Sequence, residues 1–389
     1  MTIRRVRNII FLKDVIFLSL TAFGGPQGHF AMFVDLMVKK RRYLTEEDLI
    51  ELFALCQVLP GPTSTQTITA LGFKIGGPNL AYLTLFFWML PAVTIMTIAG
   101  IIVNTDIDLG FMKFILPMVV GIVAYSAYRI ASKVVTTKLG FALMIISAIA
   151  SFVLKSPYAF PSLILLGGLV TTIKYKQQPI EEKEKFNIQW ANLLLWVAVL
   201  VIAAGLGGIT QYLPIKIFEN FYRNGSLIFG GGQVLVPLLY TEFVEFKNYL
   251  TSEQFISGYG FVQAIPGPVF SFSAYVGSLS MSGFGTGGQV LGAVLAAIGI
   301  FLPGTFLIFF IIRFWEQLKK YRLVKASLEG INAVSSGMVI AATFLILLPM
   351  KQDVLNYTLV IGTILLLRFT KVPTPVIILA GLGFGIFLG

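Results

Sequence analysis

One interrupted stretch occurs twice in this chain, without a gap and at a constant offset of 206 residues. Phe23-Gly24-Gly25-Pro26-Gln27 is answered by Phe229-Gly230-Gly231-Gly232-Gln233, and Tyr43-Leu44-Thr45 by Tyr249-Leu250-Thr251. Gln57 with Pro60-Gly61-Pro62 is answered by Gln263 with Pro266-Gly267-Pro268. Between Phe23 and Pro62, fourteen of the forty positions match their partners, so a whole unit is duplicated rather than a short motif. Neither break fits inside a regular helix: proline lacks an amide hydrogen, glycine is conformationally loose, and the residue before each proline is driven toward extended backbone. Paired copies of a helix-breaking unit in an apolar chain are the pattern of a secondary transporter, in which discontinuous helices from two repeats build one central site.

The solvent follows from composition. Mean hydropathy is +0.85, 56% of residues are hydrophobic and 12% are charged, against about a quarter charged in soluble globules. This is an integral membrane protein. Hydrophobic runs near twenty residues recur along the chain and no barrel-like alternation is present, so an all-α polytopic fold is predicted. The single cysteine, Cys56, rules out an intrachain disulfide, and the single histidine, His29, rules out a metal site built on several Cys and His ligands. No cofactor is implied. The basic start, Met1 to Arg7, runs into apolar sequence without a small-residue cleavage site and is expected to be retained.

Full crossings are expected at residues 78 to 103, 111 to 134, 138 to 155, 159 to 174, 191 to 209, 286 to 313, 326 to 348, 354 to 369 and 373 to 389. Two interrupted elements precede each set of four. Lys and Arg concentrate on the cytoplasmic side of membrane proteins. That places Lys39-Lys40-Arg41-Arg42, the Lys133 to Lys138 turn, the Lys174 to Lys185 linker, the Arg313 to Lys325 loop and Arg368 to Lys371 inside, with Asp106 to Asp108, Lys155 and Lys351 outside. Residues 9 to 38 are basic at both ends and should form a hairpin folded at Gly24-Gly25-Pro26. The matching 213 to 243 element should start and finish outside, so the repeats are expected to be inverted. Residues 1–174 form the first repeat, 175–212 a linker with one connecting helix, and 213–389 the second repeat.

Residues 45 to 58 and 63 to 75 read as half-helices meeting at Pro60-Gly61-Pro62, with Thr45-x-x-Asp48 as a capping start. A half-helix N-terminus presents unpaired N–H groups and about half a positive charge, an anion site needing no basic side chain. Four breaks could aim such donors at one midplane cavity, as suits a doubly charged tetrahedral oxyanion that must also be released. Candidate donors are the amides of Gln27, Gln57, Gln66, Gln233 and Gln263 and the hydroxyls of Thr63, Ser64, Thr65, Ser271 and Ser273. The alternative reading is that the breaks only serve close packing of membrane helices.

"FGGPQGHF", "YLTEEDLIELFALCQVLPGPTSTQ" and "FGGGQVLVPLL" with "YLTSEQFISGYGFVQAIPGPVFSFSAYVG" resemble the two-domain form of the chromate ion transporter family over essentially the whole chain. The resemblance implies an inverted-repeat carrier of the inner membrane that exports chromate, with sulfate as a related anion. The sequence departs from the family pattern at Gly28-His29, at Gln233 after Gly232, and at Tyr43 and Tyr249 where Trp is common. A required pair of histidines is therefore not expected.

Individual side chains carry two readings each. His29 serves the anion or a coupling proton, or is a satisfied packing residue. Arg129 is an intramembrane cation for the substrate, or snorkels to the interface. Lys74 attracts the anion or anchors the cytoplasmic side; Glu47 and Glu253 cap helices or carry protons; Asp14 pairs locally with Lys13 or is an interfacial charge. No nucleophile–base–acid set and no Walker motif is present, so the chain is read as a gradient-driven transporter and not an enzyme. The implied partners are a chromate or sulfate-like oxyanion, membrane lipid and a second copy in a homodimer, with no nucleic acid. A sulfate or other small-anion carrier, working inward, and a non-transporting membrane scaffold are the alternatives.

Overall fold

A computed structural model describes residues 3–23, 25–104, 113–156, 159–173, 190–229, 232, 234–313, 322–370 and 372–388. Among these residues the protein is helical throughout. The order is α1 (Ile3–Thr21), α2 (Gly25–Phe33), α3 (Glu46–Val58), α4 (Thr63–Gly76), α5 (Pro78–Val103), α6 (Ile115–Val134), α7 (Lys138–Leu154), α8 (Ala159–Thr172) and α9 (Ala191–Thr210). It continues with α10 (Leu213–Leu227), α11 (Leu235–Tyr240), α12 (Ser252–Ala264), α13 (Phe272–Ser280), α14 (Gly285–Ile311), α15 (Arg322–Leu347), α16 (Val354–Phe369) and α17 (Thr374–Leu388).

Five described helices are long and apolar enough to cross a bilayer: Pro78–Val103, Ile115–Ser132, Ala191–Thr210, Ser282–Ile311 and Ala326–Leu347. The chain is a multi-pass membrane protein. The other four expected crossings, α7, α8, α16 and α17, are shorter, between 14 and 17 residues as described. At 1.5 Å per residue they fall short of a hydrocarbon layer about 30 Å thick.

Two compact units are assembled from interleaved pieces of sequence. One comprises Met1–Thr105, Gln189–Ser226 and Phe261–Arg313; the other comprises Asp106–Ile188, Leu227–Gly260 and Phe314–Gly389. In the first, α5 and α14 are the long members, and α4, α13 and α1 pack on them. Its apolar core gathers Phe11, Val15, Leu18, Phe33, Met37, Leu49, Ile68, Leu71 and Trp88. In the second, α15 packs against α6, α7 and α8. Ser147 Oγ donates to the Val334 carbonyl (3.0 Å), and the Gly330 amide to Thr171 Oγ1 (3.2 Å), so these crossings are tied by hydrogen bonds as well as by apolar contact.

Local conformation recurs at the same 206-residue offset as the sequence. Both first helices stop at matching positions, Thr21 and Leu227. Both second helices loosen into a π-helical turn, Val34–Lys40 and Thr241–Phe246. Each turn is closed by a tyrosine amide, Tyr43 to the Met37 carbonyl (2.9 Å) and Tyr249 to the Phe243 carbonyl (2.8 Å), across Arg42 and Asn248, both at φ +53°. Thr45 with Asp48, and Thr251 with Gln254, then form reciprocal capping boxes that start α3 and α12. A buried acid holds each closure by a different route. Asp14 accepts from Arg41 Nε (3.1 Å) and Nη2 (2.8 Å) and from the Tyr43 hydroxyl (2.9 Å), not from Lys13. Glu242 pairs with Lys247 Nζ at 3.0 Å.

Candidate functional site

Three of the four sequence breaks fall in the unit built on α5 and α14. α1 ends at Thr21, and Gly25 (φ +66°) with Pro26 opens α2, so the chain turns where proline can occupy a first helical turn without losing a bond. His29 sits one turn into α2 and is 1% exposed. Its Nδ1 lies 2.9 Å from Ser64 Oγ, in the first turn of α4, and its Nε2 has no hydrogen-bond partner among the described residues. The imidazole stands edge-on to Trp88 of α5, with ring centres 5.3 Å apart, and Trp88 Nε1 donates to Thr65 Oγ1 (3.1 Å). Thus α2 and α5 hold the first turn of α4 through two neighbouring hydroxyls.

That turn exists because Pro60-Gly61-Pro62 interrupts the helix. Gly61 takes φ +117°, and Pro62 is the N-cap of α4 at ψ 97°. Thr63, Ser64, Thr65 and Gln66 are all buried. The second break repeats the geometry: Gly267 has φ +106°, Pro268 caps a single 3₁₀ turn (Val269–Ser271), and α13 follows. A Cβ on Gly267 would stand 2.9 Å from Ala92 Cβ, and its amide donates to the Ala22 carbonyl at 2.8 Å. The second Pro-Gly-Pro turn is therefore stitched to the end of α1, beside the first Gly-Gly break. Ser271 and Ser273 are fully buried with hydroxyls that have no partner among the described residues.

Each Pro-Gly-Pro turn also rests on a proline-bearing stretch of the other copy's long helix. Gly267 meets Ala92, next to Pro91 of α5, while a Cβ on Gly61 would stand 3.3 Å from Gly304 Cα, next to Pro303 of α14. Gln66 Nε2 bridges the second seat, donating to the carbonyls of Pro60 (2.8 Å) and Gly304 (3.2 Å). Its amide hydrogens are thus used within the protein rather than offered to a ligand, and only its carbonyl oxygen is left without a partner among the described residues.

The remaining sequence candidates are dispersed. Gln57 is exposed on α3, and Gln263 and Pro266 are half-buried near the second break. Arg129 is exposed on α6 in the other unit, its guanidinium 6.0 Å over the Tyr125 ring. Gly24, Gly230, Gly231 and Gln233 lie outside the described residues, as does the side chain of Gln27. Sequence reading passed over Trp88 and Gly304; the polar run Thr63 to Thr69 on an otherwise apolar helix was the signal that α4 needed partners for its hydroxyls.

A family model described as "Chromate transporter" matches residues 10–172 and 215–386. A "Probable chromate transport protein" of Synechococcus elongatus is 26% identical over 378 residues, covering 95% of this chain and 91% of the relative. A "Chromate transport protein" of Cupriavidus metallidurans is 25% identical, covering 93% and 88% respectively. An uncharacterized transporter of Methanocaldococcus jannaschii is 25% identical, covering 86% and 82%. No solved structure matches.

Proposed function

We propose, on the premise that the chain belongs to the chromate transporter family, that it carries chromate across the cell's inner membrane at a site around the first turn of α4. Its substrate is a dianion ringed by four oxygens. The α4 N-terminus offers backbone N–H donors and the positive end of a helix dipole, while Ser64, Thr65 and His29 supply side-chain atoms that can donate to those oxygens. Neutral donors replace the anion's hydration without a full opposite charge, so occupancy and release stay balanced. In this reading the first Gly-Gly break and the two Pro-Gly-Pro breaks supply the half-helix ends of a site that movement of two inverted repeats would expose alternately to each side.

The observation that carries this reading is the His29–Ser64 contact, which joins one break to the next among buried polar side chains of an apolar protein. Packing alone would not call for a histidine and three consecutive hydroxyl residues there. Export is the direction favoured by an interior-negative membrane, at about 2.3 kcal/mol per charge per 100 mV. Proteoliposomes containing the purified chain should take up chromate faster than protein-free vesicles, with sulfate, molybdate and phosphate measured in parallel. Flux should fall in His29→Ala and Ser64→Ala. Sulfate flux without chromate flux would replace the substrate, and absence of any flux would leave a scaffold.

A further inference from the structure

Two tryptophans of this protein donate to hydroxyls, and the two pairs end differently. Trp196 Nε1 donates to Ser226 Oγ (3.0 Å), and Ser226 spends its own hydrogen on the Tyr222 carbonyl one turn back (2.8 Å), so that pair is closed. Trp88 Nε1 donates to Thr65 Oγ1 (3.1 Å), and among the described residues Thr65 has no acceptor for its hydrogen. Thr67, Thr84 and Thr305, buried in the same unit, return theirs to a carbonyl four residues back, at 2.8, 2.7 and 3.0 Å. Thr65 and Thr69, one turn apart on α4, do not. For Thr65 that carbonyl would belong to Gly61, in the Pro-Gly-Pro turn where the helix has not begun. An indole N–H donates and never accepts. Thr65 Oγ1 must therefore accept in that contact, and its hydrogen stays uncommitted.

The same indole walls the imidazole. Trp88 meets His29 edge-on, with ring centres 5.3 Å apart and planes at 88°, and Phe33 lies 6.5 Å from the imidazole and 5.6 Å from Trp88. Trp88 and Phe33 are both fully buried, so His29 has little room to turn away from Ser64. The second copy begins a helix after Pro-Gly-Pro without any of this. Ser271 matches Thr65 at the 206-residue offset, is fully buried and has a hydroxyl with no partner among the described residues. Three residues before Pro303 of α14, where Trp88 stands three before Pro91 of α5, is Ile300, which has no donor to give. The Trp88–Thr65 bond is thus not a requirement of the turn.

We propose that Trp88 is a positioning residue of the transport site: its N–H occupies Thr65 Oγ1 so that the Thr65 hydrogen is presented to the oxyanion, and its ring keeps His29 on Ser64. This rests on the reading that chromate binds at the first turn of α4. Trp88 itself touches no substrate and acts through its two neighbours.

Chromate uptake into proteoliposomes of the full-length chain, with KM and maximal flux separated, tests it. Trp88→Phe keeps an aromatic wall and removes the donor, so KM should rise about three- to tenfold, as one hydrogen bond warrants, with maximal flux within twofold of wild type. Thr65→Val should raise KM at least as much, and Trp88→Phe added to Thr65→Val should raise it no further, because the indole N–H then has nothing to orient. Trp88→Leu, which also frees the imidazole, should cost maximal flux as well. A merely structural indole would add its effect to that of Thr65→Val. That additivity, or an unchanged KM in Trp88→Phe, overturns the assignment. Should Trp88→Phe not elute as wild type does, the test passes to a chain labelled with 15N in its four tryptophans: the indole N–H resonance displaced by Thr65→Val is that of Trp88, and it should move when chromate is added to wild type. A resonance that stays in place refutes the proposal. Loss of flux in His29→Ala and Ser64→Ala with an unchanged KM in Trp88→Phe removes Trp88 alone; normal flux in all three removes the α4 site and Trp88 with it.

Discussion

The seat of the first Pro-Gly-Pro turn can be tested by a sign change. A methyl group added at Gly304 would stand 2.6 Å from Gln66 Nε2 and 3.4 Å from the Pro60 carbonyl oxygen. Only the first of these is prohibitive, so in Gly304→Ala the Gln66 amide must leave. Its departure breaks two bonds, at 2.8 and 3.2 Å. Each is worth about 1 kcal/mol net, and more where the abandoned carbonyl stays dry, so the substitution should cost about 2–4 kcal/mol. In a Gln66→Ala background the clash is gone, the nearest remaining contact is ordinary, and alanine is a better helix residue than glycine by roughly 0.5–1 kcal/mol. Gly304→Ala should then be neutral or stabilising. Unfolding free energies of the four proteins, from SDS titration in mixed micelles, give the coupling directly. Equal cost in both backgrounds would mean that Gln66 does not bridge the turn to α14.

Other consequences follow from the same geometry. Gly61→Ala and Gly267→Ala each put a side chain on backbone at φ above +100°, and at Gly267 also 2.9 Å from Ala92, so vesicle flux should drop sharply while membrane insertion is retained; normal flux in both would remove the breaks from the mechanism. His29→Gln keeps a hydrogen-bonding atom for Ser64 and should retain more flux than His29→Ala; equal loss would assign His29 another role. Asp14→Asn weakens the hold on Arg41 and should increase tryptic cleavage after Arg41 and Arg42, with unchanged proteolysis the contrary result. The Asp48 carboxyl is held below its ordinary range by the Thr45 hydroxyl, then by the Thr45 amide and Lys74. Its contribution to α3 is complete above the unfolded carboxyl pKa and is lost as pH falls through the lowered one, so amide exchange at the start of α3 should accelerate in acid and lose that pH dependence in Asp48→Asn.

Much of this was legible because the informative residues act locally. Pro-Gly-Pro stops a helix wherever it stands, and Thr45-x-x-Asp48 caps one through neighbours three residues apart, so α3 and α4 appear within one residue of their expected limits. The π turns at Val34–Lys40 and Thr241–Phe246 were not foreseen, since their apolar periodicity hardly differs from that of an α-helix and only hydrogen-bond register distinguishes them. Long-range destinations were equally hidden. Gln66 reads as a free amide in sequence, yet its donors end on Pro60 and on Gly304, 238 residues away. Asp14 has Lys13 beside it and bonds Arg41 instead. Arg223 was not singled out in the sequence, where nothing beside it marks its burial, yet its side chain is largely covered and paired with Glu219.

The interleaving of the α5–α14 unit has a consequence for biosynthesis. Its pieces end at Thr105, Ser226 and Arg313, so no contiguous half of the chain contains it. The Gln66 amide must wait for a carbonyl synthesised 238 residues later, which at 5–20 residues per second is about 12–48 s. For that interval the first Pro-Gly-Pro turn stands in the bilayer or the insertion machinery with its seat on α14 missing and the Gln66–Gly304 bond unmade. Assembly of this protein is thereby tied to the order and pace of translation, and slow or interrupted elongation before Arg313 should expose the nascent chain to quality-control proteases.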